Sequence, residues 1–421
     1  MNAARPSPPS APNLADFYIG GDGANPLIPP AEFTQWRREY SWAGALFEAG
    51  LLGAPEARVR IAIDGREQQA INLCSYNYLG LARHPEVVAA AQRALAEYGA
   101  GACGSPLLSG MTRLHRELER RLSEFLGREA TLLFNSGFGG AMGCIAGVLR
   151  RADLAVLDER SHFSLMDGAL LAGAKIERFA HNDPAALDAA LKRHEGRRRL
   201  VVLEGVYSMD GDMADLPALI DVAERHGAGV LVDEAHSILA IGAHGRGVCE
   251  HFGITSGAGL FYGTFSKAFA GVGGFVSGPA ETIDYLRFFA HTYGYSCALP
   301  PATIAGLLAA LDVAAGDDLL RRRLAANAEY FRQGLHEMGL NTGESQSHVV
   351  PIILGDNRAM LYLGGVEMRR RGLFLAAIDF PAVPENRVRF RASITASHTR
   401  ADLDEALEII REVIARGLGT V

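Results

Sequence analysis

Lys267 stands in GTFSKAFAGVGG, a stretch of small and apolar residues. An amine in such surroundings has a depressed pKa and can form a Schiff base with a carbonyl compound. Asp233 follows the apolar run GVLV, where a carboxylate can hold a heterocyclic nitrogen protonated. An electron sink of the pyridoxal phosphate type needs both groups. It also needs an anion site. Ser136-Gly137-Phe138-Gly139-Gly140 follows a strand-like run and opens a helical one, so backbone N–H groups there can face a phosphate. Thr264 and Ser266 add hydroxyls for the same anion. Read singly, each residue is ordinary. A lone lysine is usually a surface charge, and a strand-ending aspartate is often a helix cap. The combination changes that balance.

Elements that place these residues follow from the pattern of the chain. TLLFN (131–135), LAVLD (154–158), LVVLEGVY (200–207), GVLVDE (229–234) and LFYGTFS (260–266) read as strands, with helical stretches between most of them. The alternation predicts βαβ units and a largely parallel sheet covered on both faces. Ligands of such sheets gather beyond the carboxyl ends of the strands. Five polar clusters fall there: Asn135 to Phe138, Asp158 to His162, Glu204 to Asp210, Asp233 to His236, and Thr264 to Lys267.

The flanks differ from this middle region. Residues 1–30 are rich in Pro, Ala, Ser and Gly, which predicts a mobile tail. Residues 31–55 read as an amphipathic helix with Trp36, Trp42 and Phe47. RVRIAIDGREQQAINLCS reads as a hairpin around Asp64-Gly65. After Pro300-Pro301 a long helical stretch is expected from 302 to 338. Strands at HVVPIILG and RVRFRASI and an amphipathic helix near 399–416 follow it. The expected organisation is an N-terminal extension (1–65), a large cofactor domain (66–300) and a small α+β domain (301–421).

Composition narrows the class. The chain has 421 residues, 48% hydrophobic and 21% charged, which excludes a fibrous or mostly disordered protein. The net charge of −7 and the absence of a basic block give no nucleic-acid footprint. Five cysteines without CxxC spacing predict no metal site and reduced thiols, as in the cytoplasm. No signal peptide is expected, since MNAARPSPPSAPN has no apolar core, and no membrane span, since the nearest candidate, Tyr295 to Gly316, holds Pro300, Pro301 and Asp312.

The motifs also carry a family likeness. NLCSYNYLGLARHPEV (72–87), FNSGFGGAMG (134–143), EGVYSMDGDMADLP (204–217), VDEAHS (232–237), GTFSKAFAGVGGF (263–275) and RVRFRASITASHT (387–399) run in the order found in one family. The chain resembles the α-oxoamine synthases, pyridoxal phosphate enzymes of fold type I. The resemblance implies that Lys267 carries the cofactor and removes the α-proton, that Asp233 pairs with the ring nitrogen, and that His236 bonds the phenolic oxygen. By the same resemblance His162 stacks on the ring, and Ser208 joins the cofactor contacts. Ser136, Gly137, Phe138, Thr264 and Ser266 surround the ring or phosphate, and Ser296 reaches the phosphate across a homodimer interface. The resemblance also implies that Asn77 and Arg391 bind the amino-acid carboxylate.

The implied reaction is a decarboxylative condensation of Gly, Ala or Ser with an acyl thioester, carried by coenzyme A or by an acyl carrier protein. Another fold type I activity, such as an aminotransferase or an aldol-type lyase, shares Lys267 and Asp233 and is the alternative. A cofactor-dead partner subunit is a third reading, against which Lys267 argues. Four positions depart from residues that members of the family carry: Pro106 where an Arg is often found, Leu239 where a Gly is expected, Ala382 where some members have Thr, and Cys297 where Thr often follows Ser296. They bear on specificity rather than on core chemistry.

Overall fold

The computed structural model describes residues 25, 27–39, 46, 50–63, 66–254 and 259–415. They form two compact units: Tyr76–Ala325, and the described residues before Tyr76 together with those from Ala326 onward.

In the second of these units, strands β1 (Arg58–Ile63) and β2 (Arg66–Asn72) pair antiparallel, as the hairpin pattern predicts. The turn residues Asp64 and Gly65 lie outside the described residues, as do Trp42, Phe47 and the side chain of Trp36. The helix expected over 31–55 is described at Ala31–Glu39.

The Tyr76–Ala325 unit is built on seven strands: β3 (Ala130–Phe134), β4 (Leu154–Asp158), β5 (Lys175–Phe179), β6 (Arg199–Glu204), β7 (Gly229–Asp233), β8 (Leu260–Thr264) and β9 (Gly274–Gly278). Their order is β3-β9-β8-β7-β6-β4-β5, with β9 antiparallel to both neighbours and every other pairing parallel. Side chains alternate between faces. Val156, Val201, Leu203, Val230 and Val232 pack under helices Pro184–Lys192 and Leu216–Arg225. Ala155, Leu157, Leu200, Val202, Leu231 and Tyr262 pack under helices Gly137–Val148, Phe163–Ala172 and Ala280–Phe289. Two buried faces explain the unbroken apolar runs. Two strands escaped the sequence pattern. β5 is the half-exposed edge, KIERF, and β9 is the short, glycine-flanked GFVSG.

In the other unit, β10 (Val349–Gly355), β11 (Leu373–Phe374), β12 (Ala376–Ile378) and β13 (Val388–Ser393) complete two small sheets. One has the order β1-β2-β11 and the other β10-β13-β12. The Ser393 N–H donates to the Leu73 carbonyl at 2.8 Å and joins them. Phe331, Ile352, Phe390, Leu403 and Ile410 form the shared core with helix Arg400–Ala415. Thus the hairpin expected at the N-terminal boundary is built into the same unit as the C-terminal strands, because β2 needs β11 as its parallel neighbour. The expected division at 300/301 differs from the observed one, since helix Pro301–Gly316 packs along helix Pro85–Tyr98 within Tyr76–Ala325. The stretch 302–338 is two helices, Pro301–Gly316 and Leu319–Glu337, interrupted where Asp317 Oδ1 accepts the Leu319 N–H at 2.7 Å.

Candidate active site

The carboxyl ends of β3, β8, β7, β6 and β4 point to one edge of the sheet, and the polar clusters follow from that placement. Ser136 caps helix Gly137–Val148, its Oγ accepting the Gly139 N–H at 3.2 Å. The first N–H groups of a helix lack intrahelical acceptors, and the aligned peptide dipoles favour an anion there. Gly137 is fixed by space. A Cβ there would lie 2.5 Å from Thr264 Oγ1. That hydroxyl donates to the Gly273 carbonyl at 2.9 Å and lies 2.8 Å from Ser266 Oγ, so it has no room to withdraw. Backbone amides and two hydroxyls therefore line one compact cradle.

Asp233 ends β7 buried, its Oδ1 accepting the Ala235 N–H at 2.8 Å. Burial pushes its carboxyl up to about 6, against the pull of the Lys267 ammonium and the Ala235 N–H. His162 begins helix Phe163–Ala172. Its Nδ1 accepts the Ser164 N–H at 3.3 Å and lies 2.8 Å from Ser164 Oγ, which leaves the proton on Nε2. The residue is exposed by area but its ring is crowded by protein atoms, and that desolvation, with Lys267, lowers it to about 4. It is a neutral imidazole at pH 7. The Phe138 ring meets it edge-on, centroids 6.0 Å apart. Buried His236 sits with Nδ1 2.8 Å from the Tyr78 hydroxyl. Ser208 is buried in the connection after β6.

This set fits pyridoxal phosphate. It offers a half-buried lysine, a buried carboxylate for the ring nitrogen, and a glycine-walled helix N-terminus with hydroxyls for the phosphate.

Ser296 Oγ accepts the Asn135 Nδ2–H at 2.5 Å. Asn77 is buried, with Oδ1 accepting the Ala82 N–H at 3.2 Å. Arg391 belongs to the other unit, on β13, buried with Nη1 3.2 Å from Ser393 Oγ. Arg389, on the same face of the strand, is buried too. Leu239 is fully buried with φ 63°, the left-handed conformation that favours the glycine usual at this place.

Sequence reasoning gave no role to Glu204. It ends β6 in register with Asp233, buried, and accepts the His162 N–H through Oε1. Burial and then the Asp233 charge push it well above the usual carboxylate value, against the His162 N–H and the Lys267 ammonium. Glu234 also went unassigned. It accepts from Ser237 Oγ, Val248 N–H (2.9 Å) and Cys249 N–H (2.8 Å), fastening the GRG turn of residues 245–247 behind the site. The signal for both was present as acids closing apolar strands. What they bond was not.

No described helix is long and apolar enough to cross a membrane. Residues 68–410 match the family of class I and II aminotransferases. The chain is 38% identical to the 8-amino-7-oxononanoate synthase of Thermoanaerobacter pseudethanolicus, over 89% of this chain and 94% of that one. It is 38% identical to the serine palmitoyltransferase of Sphingobacterium spiritivorum, over 83% and 87%. The serine palmitoyltransferase of S. paucimobilis, solved with pyridoxal phosphate and myriocin bound, superposes with a TM-score of 0.88 at 32% identity, covering 93% of this chain and 98% of that one. The chain thus belongs to the α-oxoamine synthases, pyridoxal phosphate acyltransferases of fold type I.

Proposed function

We propose that this α-oxoamine synthase condenses a small amino acid (glycine, alanine or serine) with an acyl thioester of coenzyme A or of an acyl carrier protein. The products are an α-amino ketone, CO2 and the free thiol. The observation that carries the reading is the Asp233–Lys267 pair. Asp233, buried at the end of β7, and Lys267, just after the neighbouring parallel strand β8, stand at the same sheet edge as the N-terminus of helix Gly137–Val148.

Bound pyridoxal phosphate supplies an electron sink for the charge left when the amino acid loses its α-proton. The residues of the chain do the rest. Lys267 holds the cofactor and, once released from it, receives the α-proton at Nζ. Asp233 is the fixed negative charge beside the ring nitrogen. A cation there returns its raised pKa toward the ordinary range by direct pairing. His162, neutral, offers a flat face and an Nε2–H. His236, with Tyr78 on its Nδ1, has Nε2 for the phenolic oxygen. Ser136, Gly137, Phe138, Ser208, Thr264 and Ser266 hold the ring and phosphate. Asn77 and Arg391 receive the substrate carboxylate, for which a permanently charged, bidentate guanidinium is well suited. Ser296 acts in the second site of a homodimer. The setting is the cytoplasm, where the thiols of Cys74, Cys103, Cys144, Cys249 and Cys297, all free here, stay reduced.

The test is an absorbance titration of the holoenzyme with Gly, Ala, Ser and Thr in turn, followed by an acyl thioester. The expected result is a shift of the visible band with one of them, then equal release of thiol and CO2. A keto acid product without CO2 would establish transamination instead. Lys267→Ala should abolish turnover, and full activity in that variant refutes the lysine's role.

A further inference from the structure

His181 follows β5 and has no part in the reading above. Its ring is nearly buried between two carboxylates, with Nδ1 2.9 Å from Asp158 Oδ1 and Nε2 2.8 Å from Asp212 Oδ2. Tyr207 closes the third side, its ring perpendicular at 4.5 Å between centroids. Two carboxylate acceptors on two ring nitrogens require a hydrogen on each, so the ring is an imidazolium.

The two carboxylates belong to different connections. Asp158 ends β4 and starts the turn that delivers His162. In that turn its side chain also accepts the Arg160 N–H at 2.8 Å, and its carbonyl accepts the Ser161 N–H at 3.0 Å. Asp212 lies in the connection after β6 that carries Ser208, where its carbonyl accepts the Tyr207 N–H at 3.0 Å. Asn182 repeats the link one residue on. Its N–H donates to Asp158 Oδ2 at 2.8 Å, its Nδ2 donates to the Met213 carbonyl at 3.2 Å, and its Oδ1 accepts the Asp215 N–H at 2.8 Å.

We propose that His181 is a positioning residue for the condensation, a cationic clamp that fixes the His162 turn against the Ser208 turn. The proposal rests on the reading of His162 and Ser208 as cofactor contacts. The clamp also balances charge. Asp158, Asp212 and Asp233 gather at one end of the sheet, and the imidazolium is bonded to two of them. The titratable groups facing the ring are Asp158, Asp212 and Tyr207. Burial opposes the charge, but the two carboxylates outweigh it and raise His181 to about 9.

The test uses the holoenzyme, with His181→Gln, His162→Ala and their double variant. It reads the visible circular dichroism of bound pyridoxal phosphate, kcat, KM and the thermal midpoint. We expect His181→Gln to reduce the dichroic band and to lower kcat roughly tenfold or more, as a displaced catalytic group does, with a smaller change in KM. In the His162→Ala background the same substitution should add little, because it acts through His162.

Asp212→Asn keeps an acceptor for Nε2 but removes a charge. It should move the alkaline loss of the dichroic band to lower pH by about one unit, and it carries the test should His181→Gln fail to fold. A His181→Gln enzyme with lowered thermal midpoint but normal dichroism and kcat overturns the clamp. So does an effect that adds fully to that of His162→Ala, or an unmoved pH profile in Asp212→Asn. A His162→Ala enzyme with unaltered dichroism and kcat overturns the role given to His162, and the clamp with it.

Discussion

Leu239 sets two large effects against each other. Its backbone is left-handed, φ 63°, and its N–H is bonded to the Gly245 carbonyl at 2.6 Å, so the turn cannot relax without losing that bond. An L-residue with a side chain is disfavoured there by about 1–2 kcal/mol. The side chain itself is wholly buried. Truncating a buried leucine to alanine costs about 2–5 kcal/mol, transfer and cavity together. Leu239→Ala keeps the strain and loses the packing, so the full cost falls on it. Leu239→Gly loses the packing and some chain entropy, about 0.5–1 kcal/mol, but recovers the strain. The expected order of stability is wild type, then Leu239→Gly, then Leu239→Ala, with glycine and alanine inverted from their order in a helix. Urea denaturation followed by far-ultraviolet circular dichroism measures it. A Leu239→Gly protein more stable than the wild type would show that the side chain packs poorly. A Leu239→Ala protein more stable than Leu239→Gly would refute the strain argument.

Gly137→Ala forces a methyl to 2.5 Å from a doubly bonded Thr264 Oγ1. It should cost about 1–3 kcal/mol and weaken cofactor binding in a fluorescence titration, and adding Thr264→Ala should restore part of the loss. Arg391→Ala should raise the amino-acid KM at least about tenfold, the worth of a charge-assisted hydrogen bond, while the cofactor dissociation constant stays near wild type; steady-state kinetics decide it. His181 ties stability to pH. Its pKa rises from 6.5 to about 9 on folding, so its contribution is complete below about 6.5 and is lost as pH rises through about 9. That difference is worth roughly 3 kcal/mol, so the gap in urea midpoint between wild type and His181→Gln should be wide at neutral pH and narrow well above 9.

Much of the site was legible because strands buried on both faces stop at polar residues. Ser136, Asp233 and Thr264 each follow an apolar run, and a largely parallel sheet gathers such ends on one edge. The hairpin of β1 and β2 was legible for a local reason, a turn between alternating runs. Its partner was not. β11 lies three hundred residues further along, is only Leu373–Phe374, and has no pattern of its own. β5 was invisible because an edge strand with one solvent face reads KIERF, three charges in five residues. With it His181 went unseen, since a histidine after an unrecognised strand has no expected place.

Glu204 shows where the limit lies. The sequence presents two strands, each closing on an acid, and nothing in either segment distinguishes one acid from the other. The sheet makes them neighbours: β6 pairs with β7 in parallel, with Glu204 opposite Asp233. Two buried carboxylates side by side cannot both ionise cheaply, so the pair raises the pKa of one above that of the other. The surroundings choose which. Asp233 feels the Lys267 ammonium and the Ala235 N–H more than any other favourable partner. Glu204 feels burial and the Asp233 charge most, and the His162 N–H and Lys267 ammonium offset them only in part. The charge is thus favoured on Asp233 over Glu204, whose Oε1 holds the His162 N–H. That division of labour follows from strand order, a long-range property, and from the side chains that the order brings within reach.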